Sequence, residues 1–288
     1  FLSLLCITPL IPVFLPGILQ SDLSITFLDV GQGDSAVIET HQGKTFVIDT
    51  GKTGREVESY LRFKGKKTLD AIILTHADND HSGGLQRLIN RFKVKEIWDN
   101  GLLIYPDSIK TPVRRLERGD LIESEGLEML VLHPYKGFYS ISEKGGNDYS
   151  IVIKVKGKKG ASLILTADIE AEAEEDLLHL GRWLSSDAIK ISHHGSRRSS
   201  SEAFLHAVSP EIAIISVGRE NPFGHPHEET IERLGNIGAK IFRTDRDGAI
   251  KLTEGERGFN VKTFNDFALE KATGLESELR NLRRLFQT

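Results

Sequence analysis

Six residues of this chain, His76 to His81, carry four side chains that bind divalent cations: His76, Asp78, Asp80 and His81. Imidazole nitrogens and carboxylate oxygens packed this closely make a poor core and a good cation site. Asp, Asn, Ser and Gly also favour surface turns. Turn chemistry explains the small residues, but not two histidines bracketing two aspartates. The run Ile72-Ile73-Leu74-Thr75 has the composition of a buried strand, and Gly83-Gly84 before Leu85 opens a helix.

Ligand types recur where later strands are expected to end. Asp168 follows Leu163-Ile164-Leu165-Thr166, and His193-His194 follow Ile189-Lys190-Ile191-Ser192. His225 lies in Asn221-Pro222-Phe223-Gly224-His225-Pro226-His227, after the run Ile214 to Val217. In a sandwich the strand ends on one edge converge, so distant loops can build one site. Each candidate has a plainer use. Asp168 could cap a helix beginning near Glu170. Adjacent histidines at a strand end are expected to face opposite sides, making one of His193 and His194 a ligand and the other a neighbour. His225 is the inward member of the pair flanking Pro226. His41, His133, His179 and His206 read as ordinary histidines.

The elements that must carry these residues follow from periodicity. Strands are expected around Ile25–Phe27, at Ala36–Ile38, Lys44–Ile48, Ala71–Leu74, Glu96–Asp99, Ser150–Val155, Ser162–Leu165, Ala188–Ile191, Ile212–Val217, Lys240–Arg243 and Ala249–Leu252. Helices are expected at Arg55–Phe63, Leu85–Phe92, Glu170–Leu180, Glu202–Val208 and Glu228–Leu234. Between residues 100 and 134 the pattern is turns and short strands. Two β-rich halves with helices between strands predict an α/β protein, a four-layer αββα sandwich.

Composition narrows the classes. A net charge of −4 over 288 residues is not that of a protein coated for nucleic acid, so any DNA contact comes from a local patch. The single cysteine, Cys6, rules out an internal disulfide and a thiolate metal site. Phe1 to Gln20 are uncharged and rich in Leu, Ile, Phe and Pro. They lack the basic start of a signal peptide, and Pro9, Pro12 and Pro16 interrupt any full span. They read as the remnant of a membrane span, or as an apolar extension packed on the domain. Residues 21–258 are then the main folded domain, and 259–288 a C-terminal amphipathic helix carrying Leu269, Leu275, Leu279, Leu282 and Leu285.

The loop His76-Ala77-Asp78-Asn79-Asp80-His81-Ser82-Gly83-Gly84 resembles that of the metallo-β-lactamase-fold hydrolases, with Asp78 where most members have a second histidine. Other segments are similar to the metallo-β-lactamase-like domain of ComEC-type competence proteins. They are Phe27 to Ser35, Val47-Ile48-Asp49-Thr50-Gly51, Asn147-Asp148-Tyr149-Ser150, Leu165 to Ile169, Ser192-His193-His194-Gly195-Ser196 and Gly224-His225-Pro226-His227. Those proteins are membrane channels that take up transforming DNA. The resemblance implies a domain on the extracytoplasmic side of the cell membrane, working with its own channel portion and other competence proteins. The expected activity is two-metal phosphodiester hydrolysis that degrades the DNA strand not imported. His76 and Asp78 would hold one cation, and Asp80, His81 and one of His193 or His194 the other, with Asp168 bridging.

Asp49, and with it Asp29, Asp34 and Asn147, would orient the ligands; Asp29 and Asp34 could equally cap turns. Asn147 stands where many members have a third histidine. Replacing nitrogen donors by oxygen donors makes the first position harder, so the pair of cations is Mn²⁺ or Zn²⁺, with Mn²⁺ favoured relative to a histidine-rich site. Ala167 replaces a glycine before the bridging aspartate, where its methyl could crowd the turn. Asp80 and His225 are the catalytic candidates, His225 as ligand, general acid or phosphate contact. Lys190, Arg197, Arg198 and Arg219 are candidates for contact with the DNA backbone, or a solvated basic surface. The alternatives are hydrolysis of a small ester, lactam or phosphodiester, and a non-catalytic module that binds metal for structure or holds DNA.

Overall fold

The computed structural model describes residues 22–138 and 146–266. In chain order the strands are β1 (Leu23–Phe27), β2 (Ala36–Thr40), β3 (Thr45–Ile48), β4 (Thr68–Ile73), β5 (Lys93–Asp99), β6 (Val113–Arg115), β7 (Leu121–Ser124) and β8 (Leu127–His133). The second half adds β9 (Val152–Lys156), β10 (Ser162–Leu165), β11 (Ala188–Lys190), β12 (Ile212–Ile215), β13 (Lys240–Arg243), β14 (Ile250–Glu254) and β15 (Phe259–Thr263). The helices are α1 (Arg55–Phe63), α2 (Asn79–Ser82), α3 (Leu85–Arg91), α4 (Ala171–Leu178), α5 (Glu202–Val208), α6 (Glu228–Asn236) and α7 (Thr244–Asp247).

Two sheets face one another. The first runs β15-β14-β1-β2-β3-β4-β5-β6 and the second β13-β12-β11-β10-β9-β8-β7. Their inner faces share one apolar core, with Phe27, Phe46, Ile73, Trp98, Val131, Ile153, Leu163 and Ile214 among its members. The outer face of the first sheet buries Val37, Val47 and Ile72 against Val57 and Leu61 of α1 and Leu85 and Leu88 of α3. The outer face of the second buries Ile164, Ile189 and Ala213 against Leu177, Phe204 and Leu234, from α4, α5 and α6. The layers are therefore helix, sheet, sheet, helix, as the sequence predicts.

Strands covered on both faces need continuous apolar runs rather than alternation. Ile72, Ile73 and Leu74 are all fully buried. Each such side chain stabilises the fold by about 1.5–3 kcal/mol relative to exposure. That burial anchors the loop that follows.

The sequence reading needs correction at the C-terminal side. Phe259–Thr263 is a strand paired antiparallel to β14, not the start of a helix, and the domain extends past residue 258 to include it. Phe259 and Thr263 are buried, with Val261 half-buried between them, and Asn260 and Lys262 are exposed on the other face. From residue 267 the expected C-terminal helix lies outside the described residues, as does the apolar stretch Phe1 to Gln20. No helix among the described residues is long and apolar enough to cross a membrane.

Candidate metal centre

The parallel strands deliver the polar loops to one edge. Asp49 follows β3, His76 to His81 follow β4, Asp168 follows β10, His193 and His194 follow β11, and Ser216 follows β12. The metal loop is held closely. Asp34 N donates to the Asp80 carbonyl at 3.2 Å, and a Cβ at Gly33, where φ is +134°, would collide with that same carbonyl. Behind the loop a Cβ on Gly84 would lie 2.5 Å from the Gly54 Cα, so both glycines are required for this approach.

Asp49 sets the loop's side chains. Its Oδ1 accepts from Thr75 N at 2.9 Å, and its Oδ2 accepts from Thr75 Oγ1 at 2.8 Å and from His81 Nδ1 at 2.8 Å. A carboxylate only accepts, so His81 carries its proton on Nδ1 and turns the Nε2 lone pair towards the centre. The Thr75 hydroxyl, having given its proton to Asp49, accepts from His76 Nδ1 at 3.0 Å. His76 therefore also offers a bare Nε2. His194 donates from Nδ1 to the Ser216 carbonyl at 3.0 Å and offers its Nε2 in the same way.

These nitrogens converge on carboxylates. Asp168 Oδ2 lies 3.3 Å from His81 Nε2 and 3.4 Å from His194 Nε2, and Asp80 Oδ2 is 3.3 Å from His194 Nε2. His76 Nε2 is 3.8 Å from Asp78 Oδ2, and the His76 and His81 rings are 4.1 Å apart. His76, His81 and Asp168 place one ligand atom each within 4.8 Å of one another, as do Asp34, His81 and His194. Asp34 fits the second group by distance but is better read as support. Its Oδ2 pairs with Lys190 Nζ at 2.5 Å, and its Oδ1 approaches His194 at Nδ1, the ring edge turned from Asp168.

His76 Nε2, His81 Nε2, His194 Nε2 and Asp168 Oδ1 are buried with no hydrogen-bond partner. A buried polar atom left unsatisfied costs about 1–3 kcal/mol. Four aimed at one place have the chemistry of a divalent cation site, and the residues fit such a group.

The electrostatics agree. Burial alone would lower the pKa of His81 and His194, but the charge of Asp168, with Asp49 beside His81 and Asp34 beside His194, lifts both well above the usual range, so a proton competes with a divalent cation for each Nε2. Burial would raise Asp168, but His194 and His81 hold it well below. Asp34 is likewise raised by burial and then lowered further by Lys190 and His194. His76 is pushed down, by burial and by His81. The centre carries surplus carboxylate charge that favours a cation.

Several sequence expectations resolve differently. His193 and His194 do not part to opposite sides. Both have left-handed backbone, φ 47° and 53°, which turns both rings towards Asp168. His194 is buried on the floor; His193 sits at the mouth, with Nε2 3.9 Å from Asp168 Oδ2 and Nδ1 3.0 Å from Glu170 Oε1. Asn147 Nδ2 comes within 3.4 Å of His193 Nδ1. Asp168 is not a helix cap, because α4 begins at Ala171 behind Glu170. Asp148 takes that role, its Oδ1 accepting from Glu170 N at 2.8 Å and Ala173 N at 3.2 Å.

Asp29 stands exposed and accepts from Gly31 N at 3.2 Å, so it caps a turn rather than supporting a ligand. Lys190 is 3% exposed and paired with Asp34, which removes it from contact with DNA. Arg197, Arg198 and Arg219 are exposed on the loops that carry His194 and His225. His225 lies 5.5 Å from the His193 ring and 6.3 Å from that of His194. Burial, followed by the His193 and His194 charges, pushes its pKa down to about 4. At neutral pH it is a neutral donor and acceptor rather than a loaded acid. Ala167 adopts φ 48°, the conformation that the glycine it replaces would adopt freely.

Sequence reasoning passed over Thr75, Asp148 and Glu170. The signal for Thr75 was its place between the strand and His76. Asp148 and Glu170 act through long-range partners that no local pattern reveals.

Fold and site together define a metallo-β-lactamase-superfamily domain, and a profile of that superfamily matches residues 28–135. The solved structure of Igni18, a novel metallo hydrolase from Ignicoccus hospitalis, superposes with a TM-score of 0.55 at 15% identity, covering 81% of this chain and 100% of that one. Among curated proteins, ComE operon protein 3 of Bacillus subtilis is 32% identical over 276 residues, 86% of this chain and 35% of that protein. Competence protein ComA of Neisseria gonorrhoeae is 32% identical over 249 residues, 84% of this chain and 34% of that protein. The chain belongs with the metallo-β-lactamase domains of ComEC-type competence proteins. It spans about a third of the length of these curated relatives.

Proposed function

We propose that this chain is a metal-dependent phosphodiesterase acting on DNA, the nuclease portion of a DNA-uptake protein, and that it degrades the strand not taken up. The observation that carries this is the convergence around the Asp168 carboxylate of three buried Nε2 atoms, of His76, His81 and His194, that have no hydrogen-bond partner. Competence proteins among its relatives support DNA as the substrate.

His76 and Asp78 would hold one divalent cation, and Asp80, His81 and His194 the other, with Asp168 between them. Bound divalent cations supply polarisation of a phosphoryl oxygen and activation of water at neutral pH. The chain's own residues do the rest. Asp49 and Thr75 hold His76 and His81 in the ligating tautomer. Glu170 accepts from His193 Nδ1 and fixes the ring at the mouth, with its Nε2 lone pair turned towards Asp168 and the centre. His225, neutral and held on the facing loop, offers a hydrogen bond to a phosphoryl oxygen there as charge develops. Arg197, Arg198 and Arg219 are placed to meet flanking phosphates, an attraction that weakens with salt.

The test is cleavage of labelled DNA by the purified protein with Mn²⁺, Mg²⁺, Zn²⁺ or a chelator, beside folded His76→Ala and Asp80→Ala variants. Metal-dependent cutting that both variants lose is the expected result. A folded, metal-loaded protein that leaves single- and double-stranded DNA intact overturns the reading. Turnover of small phosphodiesters by that same protein would then favour the smaller substrate class, which the withdrawal of Lys190 from the DNA-contacting candidates supports.

A further inference from the structure

Phe223 is out of place for a packing residue. It is 60% exposed, yet it is not on a loose loop. The Asn221 side chain clamps the segment at four points. Its Oδ1 accepts from Phe223 N at 3.2 Å and from His225 N at 3.0 Å, and its Nδ2 donates to the Gly218 carbonyl at 3.0 Å and the His225 carbonyl at 2.7 Å. The ring lies nearly parallel to that of His225, 25° between planes and 5.7 Å between centroids, and His225 in turn is 5.5 Å from His193. A fixed aromatic ring with exposed surface therefore stands beside the mouth of the metal centre, backed by an imidazole. Arg219 is on the same loop and Arg197 is tied to it, since Arg197 N donates to His227 Nδ1 at 3.2 Å.

We propose that Phe223 is a nucleobase-stacking platform, so that the site takes a DNA strand whose base is unpaired beside the phosphodiester being cut. The inference rests on the nuclease reading above and names its substrate form. A flat ring beside cationic groups is how single strands are held without reading sequence, because every base has a π-face. Within a duplex both faces of each base are already covered by its neighbours. A ring fixed on a clamped loop cannot slide between them, so single strands and frayed ends are the forms that fit. Holding the ring in place beforehand also spares the ordering cost of a mobile side chain.

Two measurements on the full chain test this. In the first, kcat/KM is compared on a single-stranded oligonucleotide and on an abasic oligomer of equal length, for wild type, Phe223→Ala and Phe223→Trp. The ratio of base-bearing to abasic rates should fall about 5- to 150-fold in Phe223→Ala, mainly through KM, and be retained in Phe223→Trp. In the second, a 2-aminopurine oligonucleotide is bound in chelator, where no cutting occurs. Its fluorescence should be quenched by wild type and much less by Phe223→Ala. An unchanged rate ratio in Phe223→Ala, or quenching that survives the substitution, overturns the proposal while leaving the nuclease reading intact. If wild type cuts neither substrate, the nuclease reading fails. The quenching result then decides alone whether Phe223 stacks on bases.

Discussion

Asp49→Asn changes one atom of a residue that touches no substrate, and it should disable both cation positions. In the native site Asp49 accepts from Thr75 Oγ1 and from His81 Nδ1, and the Thr75 hydroxyl accepts in turn from His76 Nδ1. An asparagine placed with its amide nitrogen at Oδ2 donates where the carboxylate accepted. His81 Nδ1 must then accept, which moves its proton to Nε2, and the reversed Thr75 hydroxyl does the same to His76. Each ring then presents N–H where a lone pair is needed. Two hydrogen bonds to a charged group are converted, each worth about 1.5–3 kcal/mol, so metal affinity should fall by roughly 10²- to 10⁴-fold. Asparagine fills the same volume, so packing around β3 and β4 survives and circular dichroism should match wild type. The assay is calorimetric titration with Mn²⁺, with His81→Ala as the reference for complete loss of one ligand. Affinity within threefold of wild type in a folded Asp49→Asn protein would refute the tautomer argument.

Two further outcomes concern groups behind the site. Lys190→Met should cost about 3–5 kcal/mol of unfolding free energy, because the buried Asp34 carboxylate is left unpaired. The double variant with Asp34→Asn should recover much of that loss in urea denaturation, whereas wild-type stability with weakened DNA binding would restore Lys190 to the phosphate contacts. Glu174 is buried, accepts from Ser200 N and Ser201 N, and has its pKa pushed up by burial to about 7 from 4.5. A raised carboxyl stabilises the fold below its unfolded pKa and loses that contribution as pH climbs to the folded value. The unfolding free energy of Glu174→Gln relative to wild type should therefore rise between pH 4.5 and 7 by on the order of 3 kcal/mol. A difference independent of pH across that range would contradict the shift.

What could be read from the sequence, and what could not, divides along the range of the interactions. His76, Asp78, Asp80 and His81 were visible because their chemistry is local and their spacing is short. Asp168, His194 and His225 were visible because loops after parallel strands meet at one edge. Lys190 misled because basic residues follow it in the chain, while its partner Asp34 arrives from the opposite sheet. The histidine pair misled because strand alternation was extended into a segment with left-handed backbone. β15 could have been found, since Phe259, Val261 and Thr263 alternate with Asn260 and Lys262. The apparent helix beyond it drew the boundary too early. Asp148 and Glu170 carry no local signature because their roles exist only once β9, β10 and β11 are paired.

The pairing of β1 fixes an orientation. Ser24 is matched to Thr253 and Phe27 to Ile250, and Leu28 leads directly to the Gly33–Asp34 turn beneath Asp80. Asp22 is therefore at the end of the sandwich remote from the ligands, roughly 17 Å away along a five-residue strand. Any body joined through residue 22 holds the domain by its base. The mouth, with Phe223 and the arginine loops, lies at the opposite end of the sandwich and is left uncovered by a body attached there.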